Sequence, residues 1–563
     1  MEISYSPRAA LAPRSFPAIR VRRLLGGARV VLHLVFGLLA VAVVRVAAAT
    51  IGRHPRGLAL LTRSGGALAV LAGPAAAVLT AARARRTVPA YRAATEGSRP
   101  WRSACQAGRL AGYLDALPVL DKSGYIDRYP VAQRCRGGRL PAGGVEIDES
   151  SGSSGRPYQW VRSRAELDLI ERGLATQAEW LLRTRAHRQL VVLNCFSMGA
   201  WATGSSVTAA LRRLGVIKSC GPDADKALAA IELLGPDACY VVCGYPPFLA
   251  TFLDAAAARG IDLSGYELWG FVGGEGMTEV LRTRLQRVFG RVLSAYGASD
   301  LDIGVAGETE LAVAIRQAAA ADPEFAQALF GHTGRLPMVF QYDPATYHVE
   351  TVGGELVVTV TRKLLSPRVR YAVHDAGGSL TFQHVLAVAE AHGVQLPTGG
   401  AARLPFLYVA GRIDSTLSHM GANLYPEDVD SALGVLAEQH PEFGLGAFCL
   451  ELADAANGMS VPRIHVEARV AAAVEAQDAA VVEAQDAAAV EARDAAVVEA
   501  RVAAVADQVG SGIAGWLVAH NRDWAAAAAE EPRALAFDVR LAAPGSGVFE
   551  ANAGRIKRRY VLT

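Results

Sequence analysis

The sequence predicts an α/β protein with a large layered domain and a small α+β domain behind it, on three observations. Short apolar runs at Leu190–Leu193, Cys239–Val242 and Leu268–Val272 alternate with helix-length stretches such as Phe248–Arg259 and Thr278–Phe289. That order builds a parallel sheet with crossover helices. At 563 residues the chain exceeds what one hydrophobic core covers, about 250–300 residues, so it divides. Residues Gly354–Thr361 read as a strand entered through a glycine turn, and hence as an antiparallel addition to the sheet.

From the N-terminus, residues 1–87 differ in character from the rest. Residues 29–51 are apolar for about the length of a bilayer crossing, interrupted by His33 and Arg45, and a second apolar stretch, rich in Ala and Gly, runs from Leu58 to Ala82. Arg20, Arg22 and Arg23 precede the first stretch, and Arg83, Arg85 and Arg86 follow the second. The pattern suits a membrane hairpin through residues 29–82 with both ends on the cytoplasmic side. An Ala-rich helical pair packed on the rest of the chain accounts for the same composition, and a cleaved signal peptide does not fit it. The expected location is cytoplasmic, with anchoring at the inner face of the cell membrane if the hairpin inserts. A net charge of +3, from 57 basic and 54 acidic side chains, gives no reason to expect a nucleic-acid partner. The seven cysteines form no Cys-x-x-Cys or Cys/His cluster, which suits a reducing compartment and buried thiols.

Next comes Ser150-Ser151-Gly152-Ser153-Ser154-Gly155-Arg156-Pro157. Glycines let backbone amides turn toward an anion, hydroxyls add donors and Arg156 adds charge, so the segment reads as a phosphate-gripping loop. It is not a Walker A loop, since the Gly-Lys-Ser/Thr ending is missing, and a flexible Ser/Gly linker has the same composition. The segments after it narrow the reading: Gly273-Gly274-Glu275, Tyr296-Gly297-Ala298-Ser299-Asp300, Arg370-Tyr371-Ala372-Val373-His374-Asp375, Gly411-Arg412-Ile413-Asp414 and Gly554-Arg555-Ile556-Lys557-Arg558. In that order and spacing they resemble the adenylate-forming enzymes, most closely the phenylacetate–CoA ligase branch. Val88-Pro89-Ala90-Tyr91-Arg92, Leu117-Pro118-Val119-Leu120-Asp121-Lys122 and Tyr342-Asp343-Pro344 look like that branch too, so the resemblance covers residues 88–563.

The resemblance implies a large adenylating domain at 88–410, a small mobile C-terminal domain at 411–563, and ATP-dependent joining of a carboxylic acid to CoA through an acyl-adenylate. ATP, Mg2+ and CoA are the implied cofactors. The loop Ser150–Arg156 would hold the β- and γ-phosphates, and Asp300 the magnesium, one methylene shorter than the family's usual Glu. Gly274 and Glu275 would hold adenine, with Tyr296 stacked on it beside Gly297. Asp375 would accept both ribose hydroxyls, although His374 stands where the family has Gly and Val373 where it has Thr. Arg412 would reach the ribose and phosphate, and Asp414 matches the hinge. The adenylation cation would be Lys557, with Arg555 competing for that role. Tyr245-Pro246-Pro247-Phe248 resembles the segment near the acid pocket. Two alternatives stay open: transfer of the acyl group to a carrier-protein thiol or an amine, and a degenerate, non-catalytic adenylate-binding protein at the membrane.

Within the C-terminal part, Val466-Glu467-Ala468-Arg469 recurs at 474 and 482 with Gln in the last place and at 490 and 498 with Arg, an eight-residue repeat of strong helix formers. Its period lies off the 7- and 11-residue repeats that keep a seam on one face, so a solvated helical insertion at 466–506, dispensable for chemistry, is expected.

Overall fold

The computed structural model describes residues 16–51, 55–64, 66–150, 158–182, 189–331, 336–413, 417–420, 422–454, 459–469, 488–531 and 536–552. Helices come first: α1 (Phe16–Ala49), α2 (Pro55–Ser64), α3 (Gly66–Thr87), α4 (Pro89–Ala94), α5 (Pro100–Ala107) and α6 (Ala111–Asp115). The second apolar stretch is therefore two helices, of which α3 alone is long and apolar enough to cross a membrane. They part at a glycine pair, the weakest helix former short of proline, and a Cβ on Gly66 would lie 2.1 Å from the Arg403 carbonyl. Small residues let α3 sink onto the body of the protein. Ala72, Ala75, Ala77 and Ala81 are fully buried, a Cβ at Gly73 would lie 2.5 Å from the Pro344 carbonyl, and the Thr80 hydroxyl donates to the Thr361 carbonyl at 3.2 Å. α1 lies across α3, where a Cβ on Gly37 would come within 2.5 Å of the Ala75 methyl. Its outer face is apolar and bare, with Leu32, Phe36, Leu39 and Val46 each more than half exposed.

A hairpin of β1 (Val145–Ser150) and β2 (Tyr158–Ser163) precedes α7 (Arg164–Leu182). The alternating region follows as β3 (Leu190–Asn194), α8 (Ala202–Leu211), β4 (Val216–Ser219), α9 (Ala224–Leu234), β5 (Cys239–Gly244), α10 (Pro246–Ala258), β6 (Glu267–Gly273), α11 (Glu279–Leu285) and β7 (Arg291–Tyr296). These strands pair in parallel in the order β4-β3-β5-β6-β7. β5 is buried along its whole length, the habit of a strand covered on both faces.

The sheet then continues with antiparallel strands. β8 (Ala306–Gly307), α12 (Glu310–Ala321), α13 (Pro323–Phe330), β9 (Met338–Tyr342), β10 (Tyr347–Val352), β11 (Glu355–Val360), β12 (Tyr371–Leu380), α14 (Phe382–Ala391) and β13 (Phe406–Arg412) follow in the chain, and their strands bring the sheet to eleven, ordered β8-β9-β13-β12-β11-β10 outward from β7. The turn into β11 uses Gly353 and Gly354, both at positive φ (62° and 85°), as the glycine-led strand required. Buried residues of α1 and α3 share one apolar cluster with β3, β5 and β11.

A second core gathers β14 (Leu417–His419), β15 (Ala422–Leu424), α15 (Pro426–Gln439), β16 (Leu445–Asp454), β17 (Ser460–Ala468), α16 (Ala488–His520), α17 (Arg522–Glu530) and β18 (Asp538–Ala542). Here the repeat departs from expectation at both ends. Its first copy closes strand β17, where Val466 is fully buried opposite Phe448, so it opens no helix. In α16, Val505, Val509, Ile513 and Leu517 form a buried stripe at helical spacing. Glu499, Ala500 and Arg501 of the last copy are exposed as expected, and residues 470–487 lie outside the described region.

Candidate active site

A cleft of about 1150 Å3 opens at the C-terminal ends of β6 and β7, where open α/β sheets bind ligands. The second core roofs it with Leu417, Met420, Asn423 and Ala527. β6 ends at Gly273, and Gly274 turns the chain at φ +90°, with no room for a side chain because a Cβ would lie 2.7 Å from the Tyr245 ring. That turn delivers Glu275 into the cleft. Burial pushes its carboxyl up to about 8, against a backbone hydrogen bond from Met420. Its Oε1 is buried without a hydrogen-bond partner.

β7 ends at Tyr296, whose hydroxyl donates to Asp375 Oδ2 at 2.5 Å. Burial, and then the Asp375 charge, push that hydroxyl's pKa up. The pairing of β12 with β13 sets Asp375 opposite Arg412, whose guanidinium lies 3.7 Å from Oδ1. His374, in the family's glycine place, adopts φ +63°. Histidine enters this left-handed region more readily than most residues, and Glu355 holds it there, accepting from both the His374 backbone N–H and ring Nδ1 at 2.9 Å. A positive φ of this kind is one that glycine adopts without cost.

Asp300 lies in a tight turn after β7. Val305 N–H returns to the Tyr296 carbonyl at 2.9 Å, and Gly297 must be glycine, since a Cβ would meet the Ile303 carbonyl at 2.2 Å. Three buried cations grip this turn by its carbonyls. Arg162 donates to Ser299 O at 2.7 Å and Leu301 O at 3.1 Å, Lys363 to Leu301 O at 2.6 Å, and Arg368 to Asp300 O at 2.8 Å. Arg162 also pairs with Asp148 on β1 and with Asp302, fastening the β1–β2 hairpin to the turn. Burial, then the Arg162 charge, push the Lys363 amine down to about 8. The Asp300 carboxylate itself is buried, 4.0 Å from the Lys122 ammonium across the cleft.

Of the expected residues, the structure therefore brings Glu275, Gly274, Tyr296, Gly297, Asp300, Asp375 and Arg412 to one cleft. Ser150 lines it too, but its hydroxyl accepts the Trp160 indole N–H at 2.8 Å and so anchors the hairpin. Ser150 pairs with Tyr158, which makes residues 151–157 the hairpin's connection. Ser151, Gly152, Ser153, Ser154, Gly155 and Arg156, like Asp414, Arg555 and Lys557, lie outside the described residues. Motif reading assigned no role to Lys122, Arg162, Lys363 or Arg368. For Arg162 a signal existed, a lone cation within the otherwise uncharged run Tyr158–Ser163.

These groups fit a magnesium-bound nucleotide. Glu275 offers a buried polar atom lacking a partner, Asp375 offers carboxylate oxygens for hydroxyls, and Lys122 offers charge for phosphate. Among the described residues no cluster of three His, Cys, Asp or Glu could hold a metal. One carboxylate suits Mg2+ even so, because that ion usually takes one or two carboxylates, substrate phosphates and water.

No family model matches the chain. Phenylacetate-coenzyme A ligase of Thermus thermophilus is similar to it, 23% identical over 335 residues that make up 59% of this chain and 68% of that protein. Among solved structures, 2-hydroxyisobutyryl-CoA ligase in complex with 2-HIB-AMP and CoA superposes over 88% of this chain and 89% of its own, with a TM-score of 0.55 at 16% identity.

Proposed function

We propose that this chain, which has the adenylate-forming ligase fold and resembles the phenylacetate–CoA ligase branch, is an ATP-dependent carboxylate–CoA ligase. The acid's carboxylate attacks the α-phosphate of ATP and releases pyrophosphate. The thiol of CoA then attacks the acyl carbon and releases AMP. The observation that carries the reading is the convergence of Tyr296, Asp375, Arg412, Asp300 and the partnerless Glu275 Oε1 on one cleft. Asp375 receives the ribose hydroxyls, kept ready by the Tyr296 hydroxyl and Arg412. Glu275, neutral at pH 7, both donates to and accepts from adenine. Lys122 and the residues connecting β1 to β2 face the polyphosphate, and Lys557 or Arg555 supplies the cation for the first step. Asp300 would hold magnesium, which when bound would supply positive charge against the polyphosphate.

The apolar outer face of α1 seats the protein on the inner face of the cell membrane. Support comes from the exposed row Leu32, Phe36, Leu39, Val43 and Val46 and from a mean hydropathy of 2.5 over Gly26–Ala49. α3 packs one face on the sheet and leaves Leu68, Val70 and Leu71 exposed.

Pyrophosphate release across a panel of carboxylic acids, with and without CoA, tests the reading. At least one acid should drive release, and Asp300→Ala should reduce it about 10²-fold or more, the scale for losing one charge-stabilising group, with the unfolding midpoint retained. Release unaffected in Asp300→Ala would remove this residue from the site. Silence across the whole panel would favour the non-catalytic alternative.

A further inference from the structure

Beyond the cleft lies a second cavity, of about 320 Å3, that the adenylation chemistry leaves unused. Val43 and Ala47 of α1 and Leu61 of α2 bound it on one side, and Leu169, Ile170 and Gly173 of α7 on another. Apart from the Arg362 guanidinium at its rim, the main charged and amide groups in its wall are already committed to the protein. Glu166 accepts from the backbone N–H groups of Ser163, Leu364 and Leu365, Asp302 is held by Arg162 and Lys363, and the Gln341 amide donates to the Ala402 and Leu404 carbonyls. Such a wall suits hydrocarbon, which asks for no hydrogen bond. The space is roughly twice the ~150 Å3 apolar cavity known to take up benzene.

Leu174 and the turn that carries Asp300 stand between this cavity and the cleft. Leu174 lines both, and it lies flush against the turn that carries Asp300: a Cβ on Gly304 would sit 2.7 Å from Leu174 Cδ2. The cleft is itself apolar beside Leu174, where Phe196, Trp201 and Phe271 line it. On the opposite side the cavity reaches α1, whose next turns carry the exposed apolar row.

We infer that the acid activated here carries a long hydrocarbon tail, which runs past Leu174 into this cavity, so that α1 and α2 form part of the substrate site. The inference rests on the adenylation reading and deepens it. A tail lodged there places the carboxyl end in the cleft and leaves the tail's far end beside the helix that faces lipid.

The test uses the full chain and two readouts: pyrophosphate release with straight-chain acids from two to sixteen carbons, and binding of a fluorescent polyene fatty acid. A Cβ at Gly173 meets nothing within 4 Å, so Gly173→Leu fills the cavity without displacing the fold. Ala47→Phe fills it from the α1 side and serves if the first variant unfolds. With wild type, turnover efficiency should rise with chain length. Either filled variant should lose that rise, falling about tenfold or more on the longest acids relative to the shortest, and should lose the fluorescent acid. Unchanged chain-length profiles and unchanged probe binding in both variants would overturn the tail site. If no acid releases pyrophosphate from wild type while the filled variants still lose the probe, the tail site stands and the ligase reading fails.

Discussion

A carboxyl that stays protonated near pH 7 leaves a mark on stability. Glu275 holds its proton in the folded protein up to about pH 8, whereas an unfolded glutamate releases it near ~4.3. Between those values the folded state binds more protons, so Glu275 makes stability fall as pH rises. Glu275→Gln keeps the shape without the titration, and its urea midpoint should decline less than that of wild type from pH 5 to pH 8. Parallel curves for the two proteins would show that the carboxyl is not protonated. Arg162 acts on the same site by position. Removing it leaves Asp148 and Asp302 short of a partner and frees the Ser299 carbonyl, while Lys363 alone still holds that of Leu301. Arg162→Ala should cost about 3–5 kcal/mol, the range for breaking a buried pair, and Arg162→Lys should recover part of that while the KM for ATP stays raised. A lysine variant with wild-type KM would limit Arg162 to stability. Glu275, Tyr296, Asp300, Asp375 and Arg412 were legible in the sequence because each stands in a short motif with fixed neighbours. Arg162, Lys363 and Arg368 were not, since what they hold is a backbone turn, and carbonyls carry no sequence signature.

Among elements, the parallel strands were readable because a strand covered on both faces must be apolar without a break, as β5 is. Helix ends were less readable. α11 stops at Leu285, short of the expected Phe289, and α10 starts at Pro246, two residues before the expected Phe248. The repeat misled where pairing outweighed composition: Val466-Glu467-Ala468 favours helix in isolation, yet β16 on one side and β18 on the other hold it as strand. The N-terminal stretches posed the reverse problem, because alanine suits both a membrane span and close helix packing: α3 buries one face on the body of the protein, yet it is also long and apolar enough to cross a membrane. For α1 the proposal of a lipid-facing row is tested by Phe36→Glu combined with Leu39→Glu, both on the exposed face. The double variant should leave sedimented membranes for the soluble fraction with its unfolding midpoint within about 0.5 kcal/mol of wild type, the usual range for surface changes. Retention on membranes would sink the idea.

At the scale of the whole molecule, the second core is latched over the cleft by side chains as well as shape. Ser197, after β3, donates to Glu530 at the end of α17 at 2.7 Å, and burial raises the Glu530 carboxyl. If the small domain swings between the two proposed half-reactions, Glu530→Ala should change pyrophosphate release and thioester formation in different proportions. Equal changes in both would mark the bond as a static contact.

The Met420 bond to Glu275 has a further consequence for timing. That carboxyl is the group proposed for adenine, and in the pose seen here the roof's backbone amide takes one of its oxygens while Oε1 keeps no partner. If adenine takes Oε1, nucleotide and roof clasp the same carboxyl from two sides, and each steadies the other. The carboxyl then works as a clasp, and spent AMP would come away only as the roof lifts.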